Sequence, residues 1–244
     1  MGRRSYDQYC TVARALDVVG ERWTLLLVRE LLTGPKRFKD LLGGLPGIGT
    51  NLLTGRLKAL EEAGIVRRTT LPPPAGSKVY ELTELGRSLE PVVVELSRWG
   101  SRLLGTPRGE DDLRPAWAAV ALRSVFDAKA ARGERETYEF RIDGEVFHVR
   151  VEKGGVEARQ GPAADPNLVV AGATEAFIAV AAGRMRPEEA VEAGSIRVEG
   201  SREDGGHDTL VRCLSMLEPV AAGSGSAAGS AQEEAGPGIP ARAP

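Results

Sequence analysis

Cys10 is followed one helical turn later by Arg14, a spacing that can make a reactive thiol. A helix N-terminus and a nearby cation both favour the thiolate, the nucleophilic form. The other reading of Cys10 is a small apolar residue packed in an interface. Few further groups could do chemistry. Cys213 is the second of two cysteines, and His148 and His207 are the two histidines. None falls in a Cys/His/carboxylate cluster at metal-ligand spacing. No nucleophile–base–acid arrangement stands out either, so no catalytic residue, metal, cofactor or enzymatic activity is expected. His148 lies in an alternating run and reads as a packed or half-exposed strand residue. The run GIGTNL at 47–52 begins like a dinucleotide-binding loop. Leu52 stands where its third glycine is needed and no strand precedes it, so that reading is rejected.

These residues sit in a chain of 244, long enough for two domains. Hydrophobic residues make up 42% and charged residues 27%, a globular balance. No apolar run is long enough to cross a bilayer, and the first ten residues lack the apolar stretch of a signal peptide. Two cysteines far apart do not make a disulfide scaffold, so a cytoplasmic setting is expected. Residues 1–105 carry 16 Lys and Arg against 11 Asp and Glu, and the remainder 16 against 23. The net charge of −2 thus divides into +5 and −7, and only the first part suits a polyanion. Residues 105–114, rich in Gly, Pro and charge, read as a linker. Residues 219–244, small residues with Gly and Pro, read as a disordered tail.

The first part, residues 1–104, reads as helices followed by one hairpin. Val12, Leu16 and Val19 recur at helical spacing up to Gly20. A second helix over 21–32 puts Trp23, Leu26, Leu27 and Leu31 inward, and Leu25 and Val28 make it apolar nearly all round. Gly34 and Pro35 break it. Phe38, Leu41, Leu42 and Leu45 mark a short third helix, and residues 46–49 a tight turn. Thr50 is the expected N-cap of a fourth helix that runs to Ala63 and Gly64. Residues 65–70 and 78–82 are extended, joined by a proline-rich tip. Leu85, Leu89, Val92, Leu96, Trp99 and Leu103 then recur at fours and threes along one long amphipathic helix, which Pro91 should kink.

Helix, helix, sharp turn, helix and hairpin is the order of a winged helix-turn-helix, whose recognition helix enters the major groove. A wheel of the fourth helix puts Leu52, Leu53, Leu57, Ala59, Leu60 and Ala63 on one side. Thr50, Asn51, Thr54, Gly55 and Lys58 share the other. Small hydrogen-bonding residues near a helix N-terminus suit base edges and phosphates. Residues 33–80 hold eight Lys and Arg, among them Lys36 and the wing residue Lys78, against three acids. That excess suits phosphate contact. Arg56 falls within the apolar side. It either reaches a phosphate or pairs with an acid and holds the domain together, and both readings stay open.

Residues 10–23 (CTVARALDVVGERW), 25–31 (LLLVREL) and 34–38 (GPKRF) together resemble the HxlR family of bacterial regulators. Residues 51–64 (NLLTGRLKALEEAG), 80–86 (YELTELG) and 89–92 (LEPV), with Trp99 and Gly100, continue the likeness over about residues 8–104. The resemblance implies a homodimeric winged-helix regulator whose terminal helices pair, with a proline tolerated at Pro91. Leu89, Leu96, Trp99 and Leu103 are then the expected dimerisation stripe. Thr50, Asn51, Thr54, Arg56, Lys58 and Lys78 are the expected contacts to a near-palindromic duplex. Some regulators of this type sense oxidants or electrophiles through a cysteine matching Cys10. The wing departs from the family at its Pro72-Pro73-Pro74 tip.

Residues 115–218 read as a second domain. A helix over 116–131 leads into alternating runs at 138–142 and 146–151, joined by Asp143-Gly144, a type I′ turn signal. Short strands follow at 156–159 and 167–171, then helices at 174–183 and 186–194, a strand at 195–199 and a closing helix at 208–217. The expected fold is an antiparallel sheet with helices on one face, an α+β domain. Residues 165–169 (DPNLV), the helix into Gly183 and residues 190–200 (AVEAGSIRVEG) resemble the sterol carrier protein 2-like fold. The resemblance implies a tunnel for apolar molecules between sheet and helices, and small alanines such as Ala179, Ala181 and Ala182 leave room for it. An ordinary filled core is the other reading. Tyr138, Phe140, Phe147, Phe177 and Val180 are expected to line or border a tunnel.

The expectation is a ligand-responsive, non-enzymatic transcriptional regulator that binds double-stranded DNA and no membrane. One rival is a Cys10 redox or electrophile sensor with a purely stabilising second domain. The other is an apolar-ligand carrier whose winged helix only mediates dimerisation.

Overall fold

The computed structural model describes residues 5–103, 111–112, 114–124, 126–127, 129, 131, 135–181, 184–200, 209–210, 213 and 216. The first part begins with α1 (Thr11–Val19), α2 (Thr24–Leu32), α3 (Phe38–Gly44) and α4 (Thr50–Glu62). On α2, Leu27, Val28 and Leu31 are buried, but Leu26, expected inward, is exposed. On α1, Val19 is buried while Val12 and Leu16, also expected inward, face out. Of the α1 valines and leucine, Val18 packs on the core around α2 and Val19 is buried, both in the last turn, so its apolar side is largely uncovered within one chain. Gly49, not Thr50, is the N-cap of α4, and Thr50 is its first helical residue. Leu53, Leu57 and Leu60 are buried at steps of four and three. Leu52 and Ala59, expected beside them, fall off that line and are exposed.

The wing pairs β1 (Val66–Thr70) with β2 (Lys78–Leu82), in register from Val66 opposite Leu82 to Thr70 opposite Lys78. α5 (Glu84–Arg87) follows, capped by Thr83, whose hydroxyl accepts from the Gly86 N–H at 3.1 Å. Gly86 lies so close to the root of β1 that a Cβ there would stand 2.1 Å from the Ile65 carbonyl oxygen. α6 (Glu90–Ser101) is a separate helix. The single long helix expected from Leu85 onward is broken at Ser88 and Leu89 rather than kinked. Pro91 occupies the first turn of α6, where its missing N–H costs nothing.

The second part opens with α7 (Pro115–Ser124) and continues through β3 (Arg135–Ile142), β4 (Glu145–Glu152), β5 (Gly155–Gln160) and β6 (Leu168–Gly172). α8 (Thr174–Ala181), α9 (Pro187–Glu192) and β7 (Ile196–Gly200) complete it. The sheet order is β5-β4-β3-β6-β7. Three pairs are antiparallel, as expected, and β3 with β6 is parallel. The parallel pair arises because the chain crosses the outer face of the sheet after β5. There the Ala163 N–H donates to the buried Glu139 carboxylate at 2.7 Å, and His148 Nδ1 lies 2.9 Å from the Gly161 oxygen. Asp143 and Gly144 have φ of 47° and 82°, the two positive values of a type I′ turn. The Asp143 carboxylate also accepts from the Thr174 hydroxyl and N–H at the start of α8, which holds its pKa below the usual range.

One face of the sheet carries Tyr138, Phe140, Ile142, Phe147, Val149, Val151, Leu168 and Val170, all buried. Residues of α7, α8 and α9 share that core. The expected tail, His207 and Ala182 lie outside the described residues, as do residues 105–110 and 113 of the expected linker. Of the closing helix, Thr209, Leu210, Cys213 and Met216 are described, and all are buried. Among the described residues no helix is long and apolar enough to cross a membrane.

Candidate functional site

The outward side of α4 presents Asn51, Thr54, Gly55 and Lys58, all exposed. The Thr54 hydroxyl donates to the Thr50 carbonyl at 2.9 Å, which turns its lone pairs outward. Lys58 lies 3.8 Å from Glu62 in an exposed i,i+4 pair, too weak to withhold it from a phosphate. Gly55 is in the helix interior, where glycine costs about 0.5–1 kcal/mol relative to alanine. A Cβ at Gly55 would meet no atom within 4 Å beyond its chain neighbours and the backbone of its own helix.

The other basic residues divide. Lys78 is exposed at the end of the wing, beside the tip. Arg67 pairs with Glu81 at 2.8 Å, and Arg68 pairs with Glu61 at 2.9 Å over the Tyr80 ring. Arg56 Nη2 holds Glu21 at 2.7 Å and its Nε donates to the Arg22 carbonyl at 3.2 Å. It ties α4 to the loop before α2, which favours the structural reading of this residue, although its acid is half-exposed rather than buried. Lys36 leaves the basic face altogether. It is 6% exposed, with its ammonium on Gln160 of β5, and burial pushes its pKa down against the pull of Glu30.

A second surface is apolar. Val92, Leu96, Trp99 and Leu103 on and just after α6 are exposed, as are Tyr9, Val12 and Leu16 on and before α1. Leu89 turns inward instead and packs on the winged-helix core. Val92, Leu96, Trp99 and Leu103 follow one another at steps of four and three, the spacing of one helix face.

The two parts meet along a polar and apolar joint that spacing rules could not reveal. Trp117 of α7 lies over Arg29, 4.3 Å from the guanidinium carbon to the ring centroid, and its Nε1–H donates to Glu30 at 2.9 Å. Arg123 of α7 is buried. Its guanidinium reaches Glu90 of α6 at 2.5 Å and the Ala158 carbonyl of β5 at 2.8 Å. The Gln160 N–H donates to the Thr33 carbonyl at 3.1 Å. Lys36 is in turn bridged to Tyr80 of the wing through both backbone groups. Adjacent residues of α7 are buried in different cores: Ala119 under the sheet, Val120 with the winged helix. The available signal for this joint was an arginine inside the apolar run AWAAVALRSVF at 116–126.

Beneath the sheet, Phe140 stacks on Phe147 with ring centroids 5.1 Å apart and meets Phe177 edge-on at 6.3 Å. A cavity of about 20 Å³ remains, lined by Leu122, Phe126, Tyr138, Phe140, Val149, Val151, Val156, Cys213 and Met216. Tyr138 and Phe140 are thus on its wall, while Phe147, Phe177 and Val180 belong to the surrounding core. The Tyr138 hydroxyl donates to Glu136, itself buried. The space admits roughly one water-sized group.

The thiols differ sharply. Cys10 is exposed at the N-cap of α1, and Arg14 turns to Asp17 at 3.5 Å. Cys213 is enclosed, and burial, with Glu136 nearby, pushes its pKa up to about 12. At pH 8 the native chain is therefore expected to yield one thiol to Ellman's reagent, and two after denaturation. Two fast thiols in the native chain would contradict this burial.

A two-strand wing behind a helix-turn-helix defines a winged-helix transcriptional regulator. Residues 18–107 match the HxlR-like helix-turn-helix family, and residues 121–205 the SCP-2 sterol transfer family. The uncharacterized HTH-type transcriptional regulator YvaP of Bacillus subtilis is 36% identical over 88 residues, covering 36% of this chain and 82% of that protein. An uncharacterized HTH-type transcriptional regulator of Mycobacterium tuberculosis is 42% identical over 99 residues, 41% of this chain and 62% of its own length. The solved structure of the reduced form of the transcriptional regulator YodB from B. subtilis is 34% identical, covering 41% of this chain and 100% of that one, with a TM-score of 0.35. The chain belongs to the HxlR-like helix-turn-helix family, and it carries an SCP-2-like second domain.

Proposed function

We propose that the protein is a homodimeric regulator that reads a near-palindromic duplex and answers to a small apolar molecule in its second domain. The observation that carries this reading is the double duty of α7 and β5. Leu122 and Val156 on these elements wall the cavity, while Val120 and Arg123 grip the winged helix. The cavity is far smaller than the roughly 300–1,000 Å³ of an ordinary ligand pocket. A ligand must therefore displace a wall, and moving α7 or β5 moves a surface seated on α2 and α6. Tyr138 and Phe140 meet the ligand, and Phe147, Phe177 and Val180 border it.

On the DNA side, Thr50, Asn51, Thr54 and Lys58 face the major groove and Lys78 the flanking backbone. Lys58→Ala is expected to weaken binding on every sequence and make the salt slope shallower by about one unit. Asn51→Ala is expected to relax preference at one base pair per half-site, losing about 1–3 kcal/mol. Footprints should show two equal half-sites, because a two-fold dimer presents two equal helices. If both variants bind as the wild type does, α4 is not the reading helix. One observation favours a second reading, a thiol sensor: Cys10 is open to solvent.

A further inference from the structure

We propose that Gly55 is a close-approach position, a gap in the side-chain layer that lets the α4 backbone lie against the DNA. The inference rests on α4 being the reading helix. At 100° per residue Gly55 falls within about 15° of the point opposite the mean direction of the buried Leu53, Leu57 and Leu60. It is the residue of α4 that points most directly away from the core among those between Asn51 and Lys58. Along the axis it stands about 6 Å beyond Asn51 and about 4.5 Å before Lys58.

Nothing among the described residues asks for glycine there. Gly55 is exposed in the interior of a regular helix, where glycine weakens the helix. Its φ is not among the positive values of the chain, so no turn requires it. Beyond its two chain neighbours and the backbone of its own helix, no atom lies within 4 Å of a Cβ placed on it, so no packed neighbour needs the space. Gly86 makes the contrast, since there a backbone oxygen of the same chain fills the place of the Cβ. No described residue fills that place at Gly55, which leaves it open to a partner. The flanking residues say what it is. Asn51 carries an amide suited to a base edge and Lys58 a cation suited to a phosphate. Both reach further into a groove when the backbone between them carries no side chain.

The test is a graded series, Gly55→Ala, Gly55→Ser and Gly55→Gln, in the full-length protein. Each is measured for its thermal midpoint and for affinity to a duplex that the wild type selects from a randomised library. Gly55→Ala is expected to raise the midpoint by about 2–4 °C, because the helix gains. The same variant is expected to bind the duplex at least tenfold more weakly, and Gly55→Gln more weakly still. A structural role for Gly55 would move stability and affinity down together. Wild-type affinity in both Gly55→Ala and Gly55→Gln overturns the inference while leaving α4 as the reading helix. Failure of the wild type to select any duplex overturns the DNA reading itself, and Gly55 with it.

Discussion

Leu96→Glu is expected to leave the protein monomeric at concentrations where the wild type is dimeric. Leu96 sits in the middle of the exposed stripe formed by Val92, Leu96, Trp99 and Leu103, with the uncovered side of α1 as further apolar surface. A carboxylate there would be buried without a partner in the paired state, at a cost of about 3–5 kcal/mol. That corresponds to a hundred-fold to several-thousand-fold weaker association. The monomer itself should stay folded, because Leu96 is 46% exposed and contributes little to the core of its own chain. Sedimentation velocity over a concentration series reads the change. An unaltered dimer would take α6 out of the interface. DNA affinity should fall with the dimer, since one winged helix alone holds only a half-site.

Arg123→Met is expected to cut the link between the two halves while leaving each folded. Methionine keeps the apolar stem but abandons the Ala158 carbonyl and Glu90. An orphaned buried acceptor costs about 1–3 kcal/mol. Glu90 adds less, because its side chain is 38% exposed and can be hydrated. The unfolding midpoint should therefore fall by several degrees. The larger effect is on communication. With the fluorescent fatty acid cis-parinaric acid as probe, the wild type should change its DNA affinity by about 5–150-fold on saturation. The Arg123→Met protein should still bind the probe and still bind DNA, with the two events independent. A full response in the variant would place the coupling elsewhere. Absence of probe binding in the wild type would remove the sensor reading and leave the DNA reading untouched.

Local rules made much of this molecule legible. The wing strand expected at 78–82 begins where β2 does, because residues 71–77 hold three prolines and a glycine and cannot extend a strand. The Asp143-Gly144 turn was readable from two residues because few others accept two positive φ values. Errors collected where a residue's fate depends on something far away in sequence. Val12 and Leu16 have the spacing of core residues, but the surface that would cover them is not in this chain's own core. Lys36 counted as a groove-facing cation, yet its partner Gln160 is 124 positions on. The parallel pairing of β3 with β6 follows from where the crossing segment lies, which strand composition does not encode. On α4 the outward set is readable, with Gly55 in it, but its open surroundings depend on how the rest of the domain packs around the helix.

The placement of Trp117 against Arg29 and Glu30 has a spectroscopic consequence. The chain holds three tryptophans, and each lies at a different junction. Trp23 borders Gly47 in the turn that leads into α4, within 3.7 Å of where a Cβ would stand. Trp99 is 59% exposed on the apolar stripe, and Trp117 is half-buried between the two halves. Loss of water around an indole moves its emission to shorter wavelength, and exposure moves it back. Chains retaining one tryptophan each would therefore report operator engagement, subunit pairing and separation of the two halves as three independent colour changes, without any attached dye.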